Sequence, residues 1–259
     1  AAKLVGIPSI HHIHEIPNTN SIYTRFMTTF LNKFSKDVIC VSRSVYDFWI
    51  SAGLKKNKAR IIYNGFEFED TTRKRLNNDR LVFTSVSRII PYKGHALLIE
   101  LFNLLSKKNS KIYLQIIGDT LPEYQKYLDN LKLNIKKKGI DDRIKFLGFR
   151  NDVSLILANS NFLIHTPVLA DPFPTVIFEA IQVKTPVITN NLGGAYEILN
   201  NGENGLIIKN NLINHSVDEI LTFIENHELQ KENSERAFDY VCKNFSLENF
   251  EKKIIRIIE

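Results

Sequence analysis

Residues 81–94 read LVFTSVSRIIPYKG, and two different kinds of chain meet in that stretch. Leu81 to Val86 is a short run of apolar and β-branched residues, the pattern of a buried strand. Ser87 and Arg88 end it, and Lys93-Gly94 opens a segment with helical periodicity, 94–107. A strand that hands directly to a helix is the unit of an α/β fold, and such folds bind ligands where the strands end. Arg88 offers a planar fork of donors and Lys93 a mobile point charge, a combination suited to a diphosphate. Gly94 lets the backbone come close to a neighbour or a ligand.

The same alternation extends in both directions. Strand patterns occur in SIHHI (9–13), DVICVS (37–42), RIIYN (60–64), KIYLQIIGD (111–119), RIKFLG (143–148), NFLIHT (161–166), PVITN (186–190) and GLIIK (205–209). Helical patterns lie between most of them, at 21–34, 44–53, 94–107, 122–138, 151–159, 174–183 and 195–200. Three more follow, at 216–228, 231–243 and 247–258. Ile22, Phe26, Phe30 and Phe34 form one apolar stripe, and Gly53 is placed to end the helix before it. This predicts a doubly wound α/β fold. The polar, aperiodic stretch EFEDTTRKRLNNDR (67–80) separates two α/β units. Six strand–helix units follow it, enough for a complete Rossmann-like domain, whereas only about three strands precede it.

Bulk composition narrows the classes. The chain has 259 residues, 44% hydrophobic and 24% charged, with a formal net charge of +6. That is a globular composition able to bury a core. The lysines come in short runs such as LKKNK and IKKKG rather than an aromatic-interleaved stripe, which argues against nucleic acid as a partner. Cys40 and Cys242 are the two cysteines, with no CxxC spacing, so neither a disulfide framework nor a zinc site is expected. Cys40, in an apolar run, reads as a small core residue, and thiol usage fits a reducing cytosol. No stretch reaches the length of a membrane span.

Three further motifs carry chemistry. In ADPFPTVIFEAI (170–181), Pro172 and Pro174 lead into a helix whose first free amides, on Thr175 and Val176, suit a phosphate. Glu179 lies one turn on, on the same face as Thr175, where a carboxylate can accept two ribose hydroxyls. Asp171 stands before the helix, in reach of sugar hydroxyls or simply in a turn. NNLGGAYEIL (190–199) places paired glycines at the same sheet edge, weak evidence that also fits a plain turn. In IPSIHHIHEIP (7–17), alternation puts His12 and His14 on one face and His11 with Ile13 on the other. An HxH pair with no further ligand pattern is a weak metal signal. A histidine at a cleft also suits contact with a reacting sugar or proton transfer.

Taken in order, these blocks resemble the retaining GT-B glycosyltransferases of family 4, the glycosyl transferase group 1 family. HHIHEIP, VICVSRSVYDFWISAG, IIYNGFE, VSRIIPYKG, IKFLGFRNDV and DPFPTVIFEAIQVKTPVITNNLGGAYEILNNGENGLII each resemble a block of that family, over nearly the whole chain. The resemblance implies a Rossmann-like C-terminal domain and a partial, N-terminally truncated Rossmann-like domain before it. The implied division is residues 1–66 as the remainder of the acceptor-side domain and 67–80 as linker. Residues 81–243 would then be the nucleotide-sugar-binding domain, and 244–259 a helix crossing back to the first. It implies that Arg88 and Lys93 bind the donor diphosphate, with Ser87 also among the donor-binding residues, that Glu179 binds ribose and that Asp171, first acid of an E-x7-E pattern, contacts the transferred sugar. Amides near Thr175 and Val176 would cradle the pyrophosphate, Gly148 and Phe149 would lie beside the base, and His14 would reach the sugar from the opposite domain. The catalytic set is then His14, Arg88, Lys93, Asp171 and Glu179, with no metal and no cofactor, since protein cations neutralise the leaving group.

The expected donor is a UDP- or GDP-sugar and the acceptor a glycan or lipid-linked molecule, as in bacterial surface polysaccharide synthesis. The setting would be cytoplasmic, extending to contact with the inner face of the membrane. Asp171 departs from the family by replacing a glutamate, Pro174 by lacking an amide, and Ser87 by standing where glycine is common. Two rival readings are an epimerase or phosphorylase on the same scaffold and a nucleotide-sugar-binding fragment without transfer activity.

Overall fold

The computed structural model describes residues 6–17, 22–69, 79–209 and 212–259. Nine strands and ten α-helices are assigned among them. Three strands, β1 (Ile10–Ile13), β2 (Asp37–Cys40) and β3 (Ala59–Ile61), form one parallel sheet in the order β1-β2-β3. Helix α1 (Ile22–Phe34) joins the first pair and α2 (Arg43–Ser51) the second.

The other six strands form a second parallel sheet. They are β4 (Leu81–Val86), β5 (Ile112–Ile117), β6 (Ile144–Gly148), β7 (Phe162–His165), β8 (Val187–Asn190) and β9 (Leu206–Ile208). Their order is β6-β5-β4-β7-β8-β9. Counted from β4, this is the 3-2-1-4-5-6 order of a dinucleotide-binding Rossmann sheet. The chain runs outward one way from β4 and then returns to build outward the other way from β7. The switch point lies between these two strands, and loops diverge there to leave a crevice.

Helices cover both faces of this sheet. Helices α3 (His95–Lys108), α4 (Gln125–Lys138) and α8 (Ile213–Glu225) bury one face around Phe83, Phe102, Ile116 and Phe223. The other face packs against α5 (Val153–Ala158), α6 (Thr175–Gln182), α7 (Ala195–Ile198) and α9 (His227–Asn244). That second core continues into the small sheet, through Val38, Cys40, Val45 and Trp49. Cys40 is fully buried there, and burial pushes its thiol up to about 12, so it is an inert packing group.

The junction between the sheets is aromatic. Phe173 stacks on Tyr63 and Phe66 with ring centres 6.0 and 6.2 Å apart. Phe66 stacks on Phe178 at 4.3 Å, and Phe245 closes the cluster. Phe66 also pairs with the chain before α10 (Leu247–Ile258), donating to Phe245 O and accepting from Leu247 N, both at 2.9 Å. Helix α10 then runs to the small sheet, where Phe250 stacks on His12 and Lys36 Nζ reaches Ile257 O. Most of the polar stretch 67–80, residues 70–78, lies outside the described residues. Its start is anchored, because Phe68 packs on Phe66 and Phe178.

Two local features differ from the sequence reading. The stripe on α1 does not face the sheet as a unit: Thr24, Thr28 and Leu31 point inward, while Ile22 is 89% and Phe26 65% exposed. A strict spacing of four advances about 40° around the helix at every step, so the stripe spirals off the buried face. Only Phe30 turns partly inward, where its ring meets His11. The break expected between 228 and 231 falls instead at Asn226, whose side chain caps α9 by accepting from Leu229 N at 3.0 Å.

Candidate functional site

The site is built at the carboxyl edge of β4 and β7. Beyond β4, Ile89 N is held by Asp119 O and a single 3₁₀ turn, Pro91–Lys93, carries the chain to α3. Gly94 joins the two with φ +79°, and a Cβ there would stand 1.8 Å from Thr166 O. Only glycine permits that approach, which presses the start of α3 against the loop leaving β7.

That loop carries Asp171. Its backbone is seated on the paired glycines: Gly194 N donates to Asp171 O at 2.8 Å, and a Cβ on Gly193 would lie 2.0 Å from the same oxygen. The GG motif, weak by itself in the sequence, therefore sets the height of the Asp171 loop. Lys93 Nζ donates to Asp171 Oδ2, joining residues 78 apart in sequence. Nε2 of His165, the last residue of β7, lies 3.4 Å from the same Oδ2. Burial alone would raise the Asp171 carboxyl, but His165 and Lys93 outweigh it and hold it at about 2.

Glu179 is placed differently. Val176, Ile177, Phe178, Ala180 and Ile181 of α6 are buried, and Glu179 is half-buried among them. Its carboxylate has no hydrogen-bond or ion-pair partner among the described residues, and burial raises its pKa. The helix leaves the N–H groups of Thr175 and Val176 free of intrahelical partners, with Pro174 preceding them at φ −70°. Arg88 is exposed and unpaired among the described residues, near Tyr124, whose hydroxyl lies 3.4 Å from that of Tyr92.

Other expected site residues fall around this centre. Gly148 ends β6 with φ +65° and accepts from Gly118 N at 2.9 Å, and the next ring, Phe149, is exposed. Ser87 Oγ sits 3.4 Å from Nε2 of the buried His95. His14 directly follows β1 of the small sheet, and its ring lies 4.2 Å from that of His12. Desolvation and the neighbouring His14 lower His12 to about 4. Among the described residues, no group of three or more His, Cys, Asp or Glu side chains is arranged to hold a metal ion.

His165, His95 and Thr166 escaped the sequence reading. A histidine ending a buried strand looks like core. The available signal was its position, since the last residue of a strand beside the switch point faces the ligand crevice.

Two packed Rossmann-like units with a crevice at the sheet edge define the GT-B glycosyltransferase architecture. Solved structures agree. Anabaena HepE, determined with UDP and glucose, superposes with a TM-score of 0.88 at 26% identity, covering 99% of this chain and 73% of that one. The profile described as "Glycosyl transferases group 1" matches residues 67–240, and "Glycosyltransferase Family 4" matches residues 1–70. The chain belongs to the glycosyl transferases group 1 family and is a glycosyltransferase by that membership. An uncharacterized glycosyltransferase of Methanocaldococcus jannaschii is 28% identical over 98% of this chain and 69% of its own length. A Campylobacter jejuni relative is 24% identical over 89% of this chain and 61% of its own length. Its name is N-acetylgalactosamine-N,N'-diacetylbacillosaminyl-diphospho-undecaprenol 4-alpha-N-acetylgalactosaminyltransferase.

Proposed function

We propose that this glycosyltransferase moves a hexose-type sugar from a UDP- or GDP-linked donor to a glycan or lipid-linked acceptor, with retention at the anomeric carbon and without a metal. The observation that carries this reading is the meeting of Lys93 and Asp171 at the β4–β7 switch point, with Arg88, after β4, and Glu179, on α6, left without partners among the described residues. An unpaired, half-buried carboxylate is costly for an idle residue and suits one that accepts hydroxyls from a ligand.

In this reading the base lies along Gly148 and Phe149, the ribose hydroxyls donate to Glu179, and the diphosphate meets Arg88, Lys93, Ser87 and the amides of Thr175 and Val176. Asp171 and, from the small sheet, His14 hold the sugar. The acceptor hydroxyl attacks the anomeric carbon on the face from which the diphosphate departs. The bond to the phosphate oxygen breaks, the glycosidic bond forms, and the hydroxyl proton passes to the departing phosphate. Arg88 and Lys93 stabilise the charge that develops there.

The Campylobacter relative, named for a diphospho-undecaprenol substrate, supports a lipid-linked acceptor. No helix among the described residues is long and apolar enough to cross a membrane. The proposed setting, argued from a lipid-linked acceptor, is peripheral contact with the cytoplasmic face of a membrane. The test is a thermal-shift screen of UDP, GDP and their sugars on wild type and Glu179→Ala. A nucleotide that stabilises the wild type but not the variant supports the reading, and a wild type unmoved by every nucleotide overturns it.

A further inference from the structure

The segment that follows β8 makes two kinds of contact within five residues. Gly193 and Gly194 seat the Asp171 loop with their backbone: Asp171 bridges to Gly193, and Gly194 N donates to Asp171 O at 2.8 Å. Three residues on, the side chain of Glu197 crosses to the unit of the small sheet. One of its carboxylate oxygens accepts from Arg43 N at 2.7 Å and the other from Ser44 N at 3.0 Å, the first two amides of α2. Helix α2 already has a cap of its own, since Ser42 Oγ accepts from Val45 N. The carboxylate therefore adds a tie between units to a helix start that its own chain has built.

A second connection runs back through an aromatic ring. Tyr63, just after β3, turns its hydroxyl to Glu197. Burial, and then the charge and hydrogen bond of that carboxylate, push the Tyr63 pKa up, so the hydroxyl stays a donor. The ring of the same Tyr63 stacks on Phe173, with centres 6.0 Å apart and planes 16° from parallel. Phe173 is buried and stands two residues after Asp171 in the same loop. The contacts close a circuit: Asp171 loop, Gly194, Glu197, Tyr63, Phe173 and back to the Asp171 loop. Tyr63 and the start of α2 belong to the small-sheet unit, and the other members belong to the large one. Contacts joined in this way act as a unit, because no member can shift without disturbing two neighbours.

We propose that Glu197 and Tyr63 are positioning residues for the donor sugar: they lock the Asp171 loop to the small-sheet unit, so that Asp171 and His14 meet the sugar from opposite sides in one fixed geometry. Glu197 acts through the two chains it joins and not by touching the substrate. The nucleoside diphosphate depends far less on the circuit, since Arg88, Lys93 and Glu179 all come from the large-sheet unit. The inference rests on the crevice being the donor site and on Asp171 and His14 holding the sugar.

Calorimetric affinities for UDP against UDP-glucose, and for GDP against GDP-mannose, isolate the contribution of the sugar as a ratio within each pair. For the pair that binds, Glu197→Ala and Tyr63→Phe should leave the nucleotide within about twofold of wild type and weaken the sugar nucleotide by about fivefold or more. Tyr63→Phe keeps the stacked ring and removes only the hydroxyl, so its effect is that of the bond and not of packing. Glu197→Gln keeps an acceptor for an α2 amide and should recover part of the loss. The double variant should lose no more than the worse single one, and additive losses overturn the circuit. An equal loss for nucleotide and sugar nucleotide, or no loss for either, overturns the positioning role while leaving the donor site standing. A wild type that binds a nucleotide but neither sugar nucleotide removes the sugar contacts and this inference together, and one that binds none of the four overturns the donor reading as well. A second readout needs no ligand: amide hydrogen exchange across residues 169–173 should quicken in both single variants, and unchanged exchange sinks the lock.

Discussion

Asp171 and Glu179 lie on one loop and the helix it leads into, yet their surroundings oppose each other. The Asp171 carboxylate is held by Lys93 and flanked by His165, and it is kept ionised to about pH 2. Glu179 has burial without a partner, and its pKa moves up. One acid is stabilised by the fold, and the other is strained by it. A group that costs stability in the free protein is the better candidate for meeting a ligand. In Asp171 the contacts with Lys93 and His165 both fall on one carboxylate oxygen, Oδ2, so a ligand would be met by the other.

The largest effect expected from breaking this contrast comes from the seat of Asp171. Gly193 has φ +80° and its missing Cβ leaves room for Asp171 O. Gly193→Ala must displace the loop backbone and should cost about 3 kcal/mol or more in urea unfolding. Gly139→Ala, also at positive φ (+65°) but facing open space, should cost about 1 kcal/mol. Similar losses at both sites would remove the argument that the glycine pair sets the Asp171 loop.

Next in size is the charge itself. The folded Asp171 titrates at about 2, below its ordinary 3.8, so its ionised form stabilises the fold. That contribution is fully present above about pH 4, amounts to about 2 kcal/mol, and disappears as pH falls through 2. Asp171→Asn should therefore lower stability by about this amount at neutral pH, with wild type and variant converging in acid. A constant difference from pH 7 to pH 2 would show that the loss comes from packing and not from ionisation.

Much of this fold was legible in the sequence because its signals are local. Runs such as DVIC, FLIH and VITN are buried along their whole length and could hardly be anything but parallel strands. The strand order was not local information: β4 pairs with β5 and with β7, and nothing in either strand announces its second neighbour. Arg88, Lys93 and Asp171 stand out in the sequence because they lie where strands end or helices begin. That Lys93 pairs with Asp171 could not be read there, since both were assigned to separate parts of a ligand. His165 stayed hidden because a buried histidine and a core residue leave the same trace in a strand pattern.

A third carboxylate offers a smaller perturbation and a useful control. Glu197, in the segment after the glycine pair, accepts from Arg43 N at 2.7 Å and Ser44 N at 3.0 Å. It caps the start of α2 in the other sheet, alongside Ser42, which accepts from Val45 N. Its charge also suits the positive end of that helix. Glu197→Ala should cost about 1 kcal/mol by chemical denaturation, with nucleotide affinity unchanged if its role is confined to joining the sheets. A loss of UDP or GDP affinity comparable to that of Glu179→Ala would make it part of the site instead.

The smallest stability effect, and the one with a reversed sign, belongs to Glu179. Its folded pKa is raised, so folding favours the protonated form. Stability is greatest below the ordinary carboxylate range and falls as pH rises through the shifted pKa. Glu179→Gln removes the charge but keeps the shape. The variant should match wild type in acid and be modestly more stable at neutral pH, read as a higher thermal midpoint. It should at the same time lose most of the stabilisation that a nucleoside diphosphate confers on wild type. Trading stability for binding in this way is what separates a ligand-facing acid from a surface one. A variant less stable than wild type at neutral pH would mean that Glu179 has a partner in the fold, and the contrast with Asp171 would collapse.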